Sequence, residues 1–103
     1  MNLLVRPLFY LDVAEEVEKL AKWAGANTAM RWDAAVQRTI KDLLANPYLG
    51  RERKDLNPPT TIRSWRVRGF PRWLIFYRVE EPKLVLLRVR YGAMDLPALE
   101  MES

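Results

Sequence analysis

Three stretches of apolar residues interspersed with arginines lie in the second half of the chain, and breaker residues separate them, which predicts strands. The stretches cover residues 61–68, 72–79 and 83–91, and each is rich in β-branched, aromatic and long aliphatic side chains. Gly69-Phe70-Pro71 separates the first pair and Glu80-Glu81-Pro82 the second. Glycine permits a tight turn and proline cannot donate to a ladder, so the pattern predicts a three-stranded antiparallel meander.

In the first half of the chain an edge strand is expected over residues 1–6. After it, apolar residues recur every 3.6 positions, which is the period of an α-helix. A glycine at position 25, with Asn27 or Thr28 as the next N-cap, predicts a short turn between two antiparallel helices. Trp23 and Trp32 are expected in the core or in the seam between these helices. The first apolar stripe comprises Tyr10, Val13, Val17, Leu20 and Ala24, and the second, in a helix over residues 28–45, comprises Ala29, Trp32, Val36, Ile40 and Leu43.

These elements predict one α+β domain over residues 1–103. The N-terminal strand and the helical hairpin should pack on one face of a twisted antiparallel sheet of about four strands. The first strand is expected at an edge of the sheet, beside the last one. A loop over residues 48–59 precedes the meander, and loops of about a dozen residues in a compact domain are often functional.

The net charge of +4 is unevenly distributed along the 103 residues. Residues 1–50 contain six basic and six acidic side chains, whereas residues 51–95 contain eleven basic and five acidic ones. The positive charge therefore belongs to the meander and to the loop before it. Such an asymmetry is typical of a surface for nucleic acid or for an acidic protein, and an ordinary solvated arginine-rich face is the alternative.

Several kinds of chemistry are excluded by residue types that the chain lacks. It has no histidine and no cysteine, which excludes thiolate metal sites, Ser–His triads and cysteine nucleophiles. Its four glycines are scattered singly, so there is no glycine-rich phosphate loop. We predict no metal, no cofactor, no membrane span and a cytoplasmic location. The carboxylates of Asp12, Glu15, Glu16 and Glu18 are assigned to a solvated helix face.

Arginine, lysine and tyrosine remain as candidates for chemistry or binding. Clustered cations stabilise phosphate charge without a metal, and a tyrosine can polarise a 2′-hydroxyl or stack on a base. A metal-free endoribonuclease is chemically feasible, although it would lack an efficient general base near neutral pH. Arginines can equally anchor a protein interface, so whether the chain is an enzyme stays open at this stage.

The order of strand, helical hairpin, basic loop and meander resembles the RelE/ParE superfamily, the toxins of type II toxin–antitoxin (plasmid stabilisation) modules. Residues 12–17 resemble the family's DLEEI-like opening, and residues 43–51 resemble its L-x-x-x-P-x-x-G-R exit from the second helix. Ile62-Arg63, residues 74–79 and residues 87–95 resemble its L-R, I-x-Y-R-V and I-L-R-V-x-H-G-x-R-D patterns. Tyr91 stands where the family usually has histidine and Met94 where it usually has arginine.

The ParE-like branch is the most similar, and this resemblance implies a growth inhibitor that poisons DNA gyrase and is neutralised by a cognate acidic antitoxin in a hetero-oligomer. The RelE branch implies a ribosome-dependent mRNA endonuclease instead. A non-catalytic nucleic-acid-binding module is the third alternative. If the chain is a ribonuclease, the expected catalytic residues are Lys54, Arg63, Arg88 and Tyr91. The expected target- or antitoxin-binding residues are Arg51, Arg53, Arg66, Arg68, Arg78, Arg88, Arg90 and Tyr91.

Overall fold

The computed structural model describes residues 1–56, 61–92 and 100–101, which form two helices and five strands. In these ranges neither helix combines the length and the apolar character needed to cross a bilayer. The predicted order of strand, helical hairpin and meander is confirmed, and a short strand is added inside the expected loop. The elements are β1 Asn2–Val5, α1 Pro7–Ala24, α2 Ala26–Ala45, β2 Arg51–Glu52, β3 Arg63–Val67, β4 Phe70–Glu80 and β5 Lys83–Tyr91.

The five strands form one sheet in the order β1-β5-β4-β3-β2. The position of β1 at the edge beside β5 was predicted and is confirmed, but this pair runs parallel, so the sheet is mixed. The other three pairs are antiparallel, as a meander requires. No hairpin fixes the direction of β1 against β5, because both helices and the rest of the sheet separate them in the chain. The fifth strand, β2, has only two residues and so shows no alternation that could be predicted.

The helical hairpin covers one face of the sheet, and its second helix follows the prediction. The predicted stripe of α2 is buried throughout, with Trp32 fully enclosed and its ring centroid 6.4 Å from that of Trp73 on β4. In α1 the inward stripe starts one residue earlier than predicted. Phe9 is buried, whereas Tyr10 is 64% exposed. The stripe consists of Phe9, Val13, Val17 and Leu20, so the assignment of Tyr10 and Ala24 to it was wrong.

The turn between the helices is shorter than predicted. Gly25 is both the last cap of α1 and the first cap of α2, with φ of 94°, a conformation that glycine adopts without steric cost. Helix α2 therefore begins at Ala26, and the expected N-caps Asn27 and Thr28 lie inside it. Trp23, expected in the core or the seam, lies in the last turn of α1 and is 86% exposed.

A β-bulge in β5 changes which residues of this strand face the helices. Phe76 pairs with Arg88, whereas the next residue, Tyr77, pairs with Leu86, so β5 has one extra residue at this point. Beyond the bulge Val89 joins Leu86 in the core on the helix side.

In a regular strand, alternation would place Leu84, Leu86, Arg88 and Arg90 on one face. The bulge separates them, because residues directly opposite each other in a ladder point to the same side. Arg88 and Arg90 lie opposite Phe76 and Leu74, so they belong to the face turned away from the helices. A second apolar cluster fills the centre of that face, and its buried members are Leu56, Ile62, Phe76, Val85, Leu87 and Met101.

Candidate functional site

The sheet face opposite the helices carries most of the predicted site residues. Arg66 lies opposite Leu74 in the ladder, and Arg51 lies opposite Ser64, which pairs with Phe76. These pairings place the side chains around the second apolar cluster. We call this surface the arginine face, and its members are Arg51, Arg53, Arg66, Arg78, Arg88 and Arg90.

Arg88 and Arg90 are held by a buried carboxylate. Arg88 donates from Nε and Nη2 to Asp12 at 2.7 and 2.9 Å, and Arg90 donates from Nη1 at 3.2 Å. The backbone N–H of Val89 adds a fourth bond to the same carboxylate at 3.1 Å. The Arg88 side chain also donates to the carbonyl of Glu100. Hydrogen bonding to Asp12 raises the pKa of Arg88, and burial opposes that rise.

Asp12 was assigned to a solvated helix face, and this assignment was wrong, since its exposed fraction is 5%. The reason lies in the short link between β1 and α1. The last backbone bond from this link to β5 joins Arg6 N to Leu86 O, and α1 starts at Pro7. The second turn of α1 therefore passes the edge of β5 that β1 leaves uncovered. There Asp12 accepts the bond from Val89 that a longer β1 would have taken.

Arg63 lies in a different structure, which we call the exit clamp: Pro47, Gly50, Arg63 and Tyr77. Arg63 Nη1 donates to the carbonyl of Gly50 at 2.8 Å. The Tyr77 hydroxyl donates to the carbonyl of Pro47 at 2.7 Å and accepts the Gly50 N–H at 2.8 Å. Burial raises the pKa of Tyr77, which keeps the hydroxyl protonated in this role. The exit clamp fixes the chain as it leaves α2, and it gives the motif residues Pro47, Gly50, Arg63 and Tyr77 a structural role.

Three further arginines are neutralised by neighbouring acids. Arg53 is buried and binds Asp55 through two hydrogen bonds, of 2.9 and 2.6 Å. Arg68 binds Asp42 on α2 in the same two-pronged way, although its side chain remains 58% exposed. Arg78 Nε lies 3.1 Å from a carboxylate oxygen of Glu80. These three arginines therefore bind carboxylates within the chain.

The Arg53–Asp55 pair gives a prediction about pH. The hydrogen bond from Arg53 lowers the pKa of Asp55 from 3.8 to about 2. The pair therefore stabilises the fold above pH ~4 and loses that effect as the pH falls through ~2. An NMR titration of the Asp55 carboxyl carbon should show a midpoint near 2 in the folded protein and near ~3.9 in urea. Equal midpoints in the two states would show that the pair does not form in solution.

Arg51, Arg66 and Lys54 are exposed, and no salt bridge to them forms among the described residues.

Tyr91 is half-buried at the end of β5, and its ring centroid lies 5.1 Å from that of Trp73 on the helix side. The Trp73 indole N–H in turn donates to Glu16 of α1 at 3.1 Å.

The four residues of the ribonuclease hypothesis are not brought together in this structure. Lys54 follows β2 at one edge of the sheet, whereas Tyr91 ends β5, three strand spacings of ~4.8 Å away. Arg63 is held in the exit clamp, and Arg88 is buried against Asp12. In the part of the chain that the structure describes, no group of three carboxylates could hold a metal ion. The predicted positions Met94 and Asp95 lie outside the described residues.

A helical hairpin covers one face of a mixed five-stranded sheet, and arginines lie around an apolar cluster on the other face. This is the α+β arrangement that the resemblance to the RelE/ParE superfamily implied. The chain belongs to the family of ParE toxins of the type II toxin–antitoxin system parDE, whose family model matches residues 8–96. The resemblance to the ParE-like branch is thereby confirmed.

One protein of known name and one solved structure are similar to this chain. Toxin ParE3 of Caulobacter vibrioides (strain ATCC 19089 / CIP 103742 / CB 15) is 35% identical over 63 residues, which is 61% of this chain. The match spans 58% of the length of that relative. Among solved structures, a chain of the chromosomal ParDE TA system from P. aeruginosa superposes with a TM-score of 0.73 over 88% of this chain and 95% of that one. Its sequence identity is 16%, so this likeness concerns the fold.

Proposed function

We propose that this toxin inhibits growth in the cytoplasm by binding and poisoning DNA gyrase, without catalysing a reaction of its own. The observation that supports the proposal is that the four residues of the ribonuclease hypothesis lie apart from one another. Arg63 and Arg88 bind partners within the chain, and Lys54 follows the edge strand β2 whereas Tyr91 ends β5, three strands away. Without histidine, the chain also lacks the usual general base near neutral pH.

The second part of the proposal is that a cognate acidic antitoxin neutralises the toxin in a hetero-oligomer. The arginine face supports it, because the exposed Arg51 and Arg66 lie there beside the partly exposed apolar side chain of Leu74. An extended segment that orders on binding can match such a surface, with an apolar side chain against Leu74 and carboxylates on the arginines.

A ribosome-dependent ribonuclease remains the second candidate, and one observation favours it. Tyr91 and the exposed Arg72 line the same open hollow of about 300 Å³, together with Pro71, Leu74 and Gly92. A tyrosine beside a cation can activate a 2′-hydroxyl and stabilise the resulting charge.

The substitution Tyr91→Phe separates the two candidates. It removes only the hydroxyl, so a gyrase poison should keep its growth inhibition within about twofold, whereas a nuclease that uses this hydroxyl should lose about 10²–10⁴-fold. Growth, a DNA-damage reporter and the integrity of mRNA are followed after a short induction of each variant. The exposed Tyr48 provides the control Tyr48→Phe.

The gyrase proposal expects the damage reporter to respond while the message is intact. Early fragmentation of mRNA that Tyr91→Phe abolishes would overturn it. Co-expression of the protein encoded beside the toxin should restore growth. If that neighbour neither restores growth nor co-purifies with the toxin, the antitoxin part of the proposal fails.

A further inference from the structure

A hollow of about 250 Å³ opens at the outer edge of β3, next to the segment that follows α2, and residues from both faces of the sheet line it. Its apolar walls are Leu49 and Leu74, which come from the segment after α2 and from β4. The complete lining is Leu49, Arg51, Ser64, Trp65, Arg66 and Leu74.

The two arginines of this hollow differ from most others in the meander. Arg51 and Arg66 are exposed, and none of the described residues forms a salt bridge with either. Arg53, Arg68 and Arg88, in contrast, each bind a carboxylate of this chain. Two exposed guanidinium groups that form no salt bridge with a described residue, beside an apolar hollow, favour a ligand that is apolar at its centre and anionic on its flanks.

The hollow suits a peptide better than a nucleic acid. Binding of a base would need an open aromatic ring, but Trp65 is half-buried and the Arg66 guanidinium carbon lies 5.6 Å from its ring centroid. The other apolar walls, Leu49 and Leu74, are aliphatic, which matches an aliphatic or aromatic side chain of a protein.

The backbone beside the hollow can also receive an extended chain. β2 pairs only with Arg63 and Ser64 of β3. Along residues 65–67 none of the described strands pairs with the outer side of β3. A strand edge without a partner among the described strands, next to a side-chain pocket, is the arrangement that β-strand addition uses, with the backbone giving affinity and the pocket giving specificity.

We propose that this hollow receives one apolar side chain of an extended acidic segment, whose flanking carboxylates bind Arg51 and Arg66. The inference rests on the proposed function, since the partner that carries the segment is the cognate antitoxin. It names two arginines as the specific contacts, out of the eight binding residues predicted from the sequence.

The test compares two double variants that remove the same charge. Arg51→Gln with Arg66→Gln changes the hollow, and Lys54→Gln with Arg72→Gln removes two exposed cations outside it. Calorimetric titration with the purified product of the adjacent gene should show affinity reduced at least about 30-fold by the first pair and less than about threefold by the second. Because all four side chains are exposed, the thermal midpoints should stay within a few degrees of the original.

Overlapping 15-residue peptides of the same gene product then locate the segment. The strongest binder should contain an apolar residue with Asp or Glu within two positions on each side, and changing that apolar residue to serine should abolish binding. Equal weakening by both double variants, or by neither, would overturn the inference while leaving antitoxin binding intact. Selective loss of affinity for a 15-nucleotide single-stranded RNA, with unchanged antitoxin affinity, would assign the hollow to nucleic acid. Absence of any binding by the original protein would overturn this inference and the antitoxin proposal together.

Discussion

Replacing Asp12 with asparagine is expected to lower the free energy of unfolding by about 3–5 kcal/mol, the usual cost of breaking a buried ion pair. The carboxylate is 5% exposed and accepts hydrogen bonds from Arg88, Arg90 and the Val89 N–H. An amide of the same shape cannot compensate the Arg88 charge, which is itself nearly buried. Urea denaturation followed by circular dichroism measures the change. In a domain with ~5–15 kcal/mol of total stability, this loss unfolds a measurable fraction of molecules.

Glu15→Gln is the matched control, because Glu15 lies one turn further along α1 and is exposed. Its expected effect is below about 0.5 kcal/mol. Combining Asp12→Asn with Arg88→Met should recover part of the loss, since the second change removes the uncompensated charge. A loss below about 1 kcal/mol for Asp12→Asn would mean that this ion pair does not hold α1 against β5.

Replacing Gly50 with alanine is expected to cost about 3 kcal/mol, through steric overlap and a lost hydrogen bond. An added Cβ would lie 2.6 Å from the Tyr77 hydroxyl oxygen and 2.8 Å from the backbone oxygen of Ser64. Neither atom can move freely, because Tyr77 is fully buried and Ser64 belongs to β3. The exit clamp must therefore open, which also releases the bonds at Pro47.

A double-mutant cycle with Tyr77→Phe tests this explanation. Tyr77→Phe alone removes the hydroxyl that binds Gly50 N and Pro47 O. In that background Gly50→Ala should cost at least about 1 kcal/mol less than in the original protein, because the bond is already absent and one overlap is relieved. Strictly additive losses, measured by urea denaturation, would show that alanine at position 50 acts without Tyr77.

The sequence predicted the elements well where a long, regular stripe of apolar residues lies on one face. The α2 stripe at Ala29, Trp32, Val36, Ile40 and Leu43 is buried as expected, because this helix meets the sheet along its length. Helix α1 has weaker amphipathic contrast, so its stripe was shifted by one residue at Phe9. The β5 bulge had no signal in the pattern, since the run from Leu84 to Leu87 is apolar on both faces and only the pairing reveals the extra residue.

The residue types of the site could be predicted from the sequence, but the pairs of side chains that bind each other could not. Arginines on the meander were expected, yet the sequence does not say which of them a carboxylate neutralises. Asp12 is 76 positions from Arg88 in the chain, and Asp42 is 26 from Arg68. Such pairs depend on the packing of α1 and α2 against the sheet. The only available signal for Asp12 was its place in the family-like opening at residues 12–17. The hollow beside Leu49 and Leu74 left no signal, because its walls come from three separate segments.

These pairings divide the arginines into two groups with different roles. Arg63 and Arg88 hold the fold together, whereas Arg51 and Arg66 face solvent and form no salt bridge with a described residue. A catalytic role for the first group would require the protein to break its own structural contacts. A binding role for the second requires no rearrangement of the described fold. This division is the physical basis for proposing a protein-binding toxin.

Supercoiling of relaxed plasmid DNA by purified gyrase tests this central claim most directly. Added at one to a few equivalents per gyrase, the toxin is expected to stop supercoiling and to accumulate cleaved DNA, and equimolar antitoxin should reverse both effects. The same preparation should leave mRNA intact in a purified translation system. Unimpaired supercoiling, together with codon-phased cuts in the translated mRNA, would contradict the account.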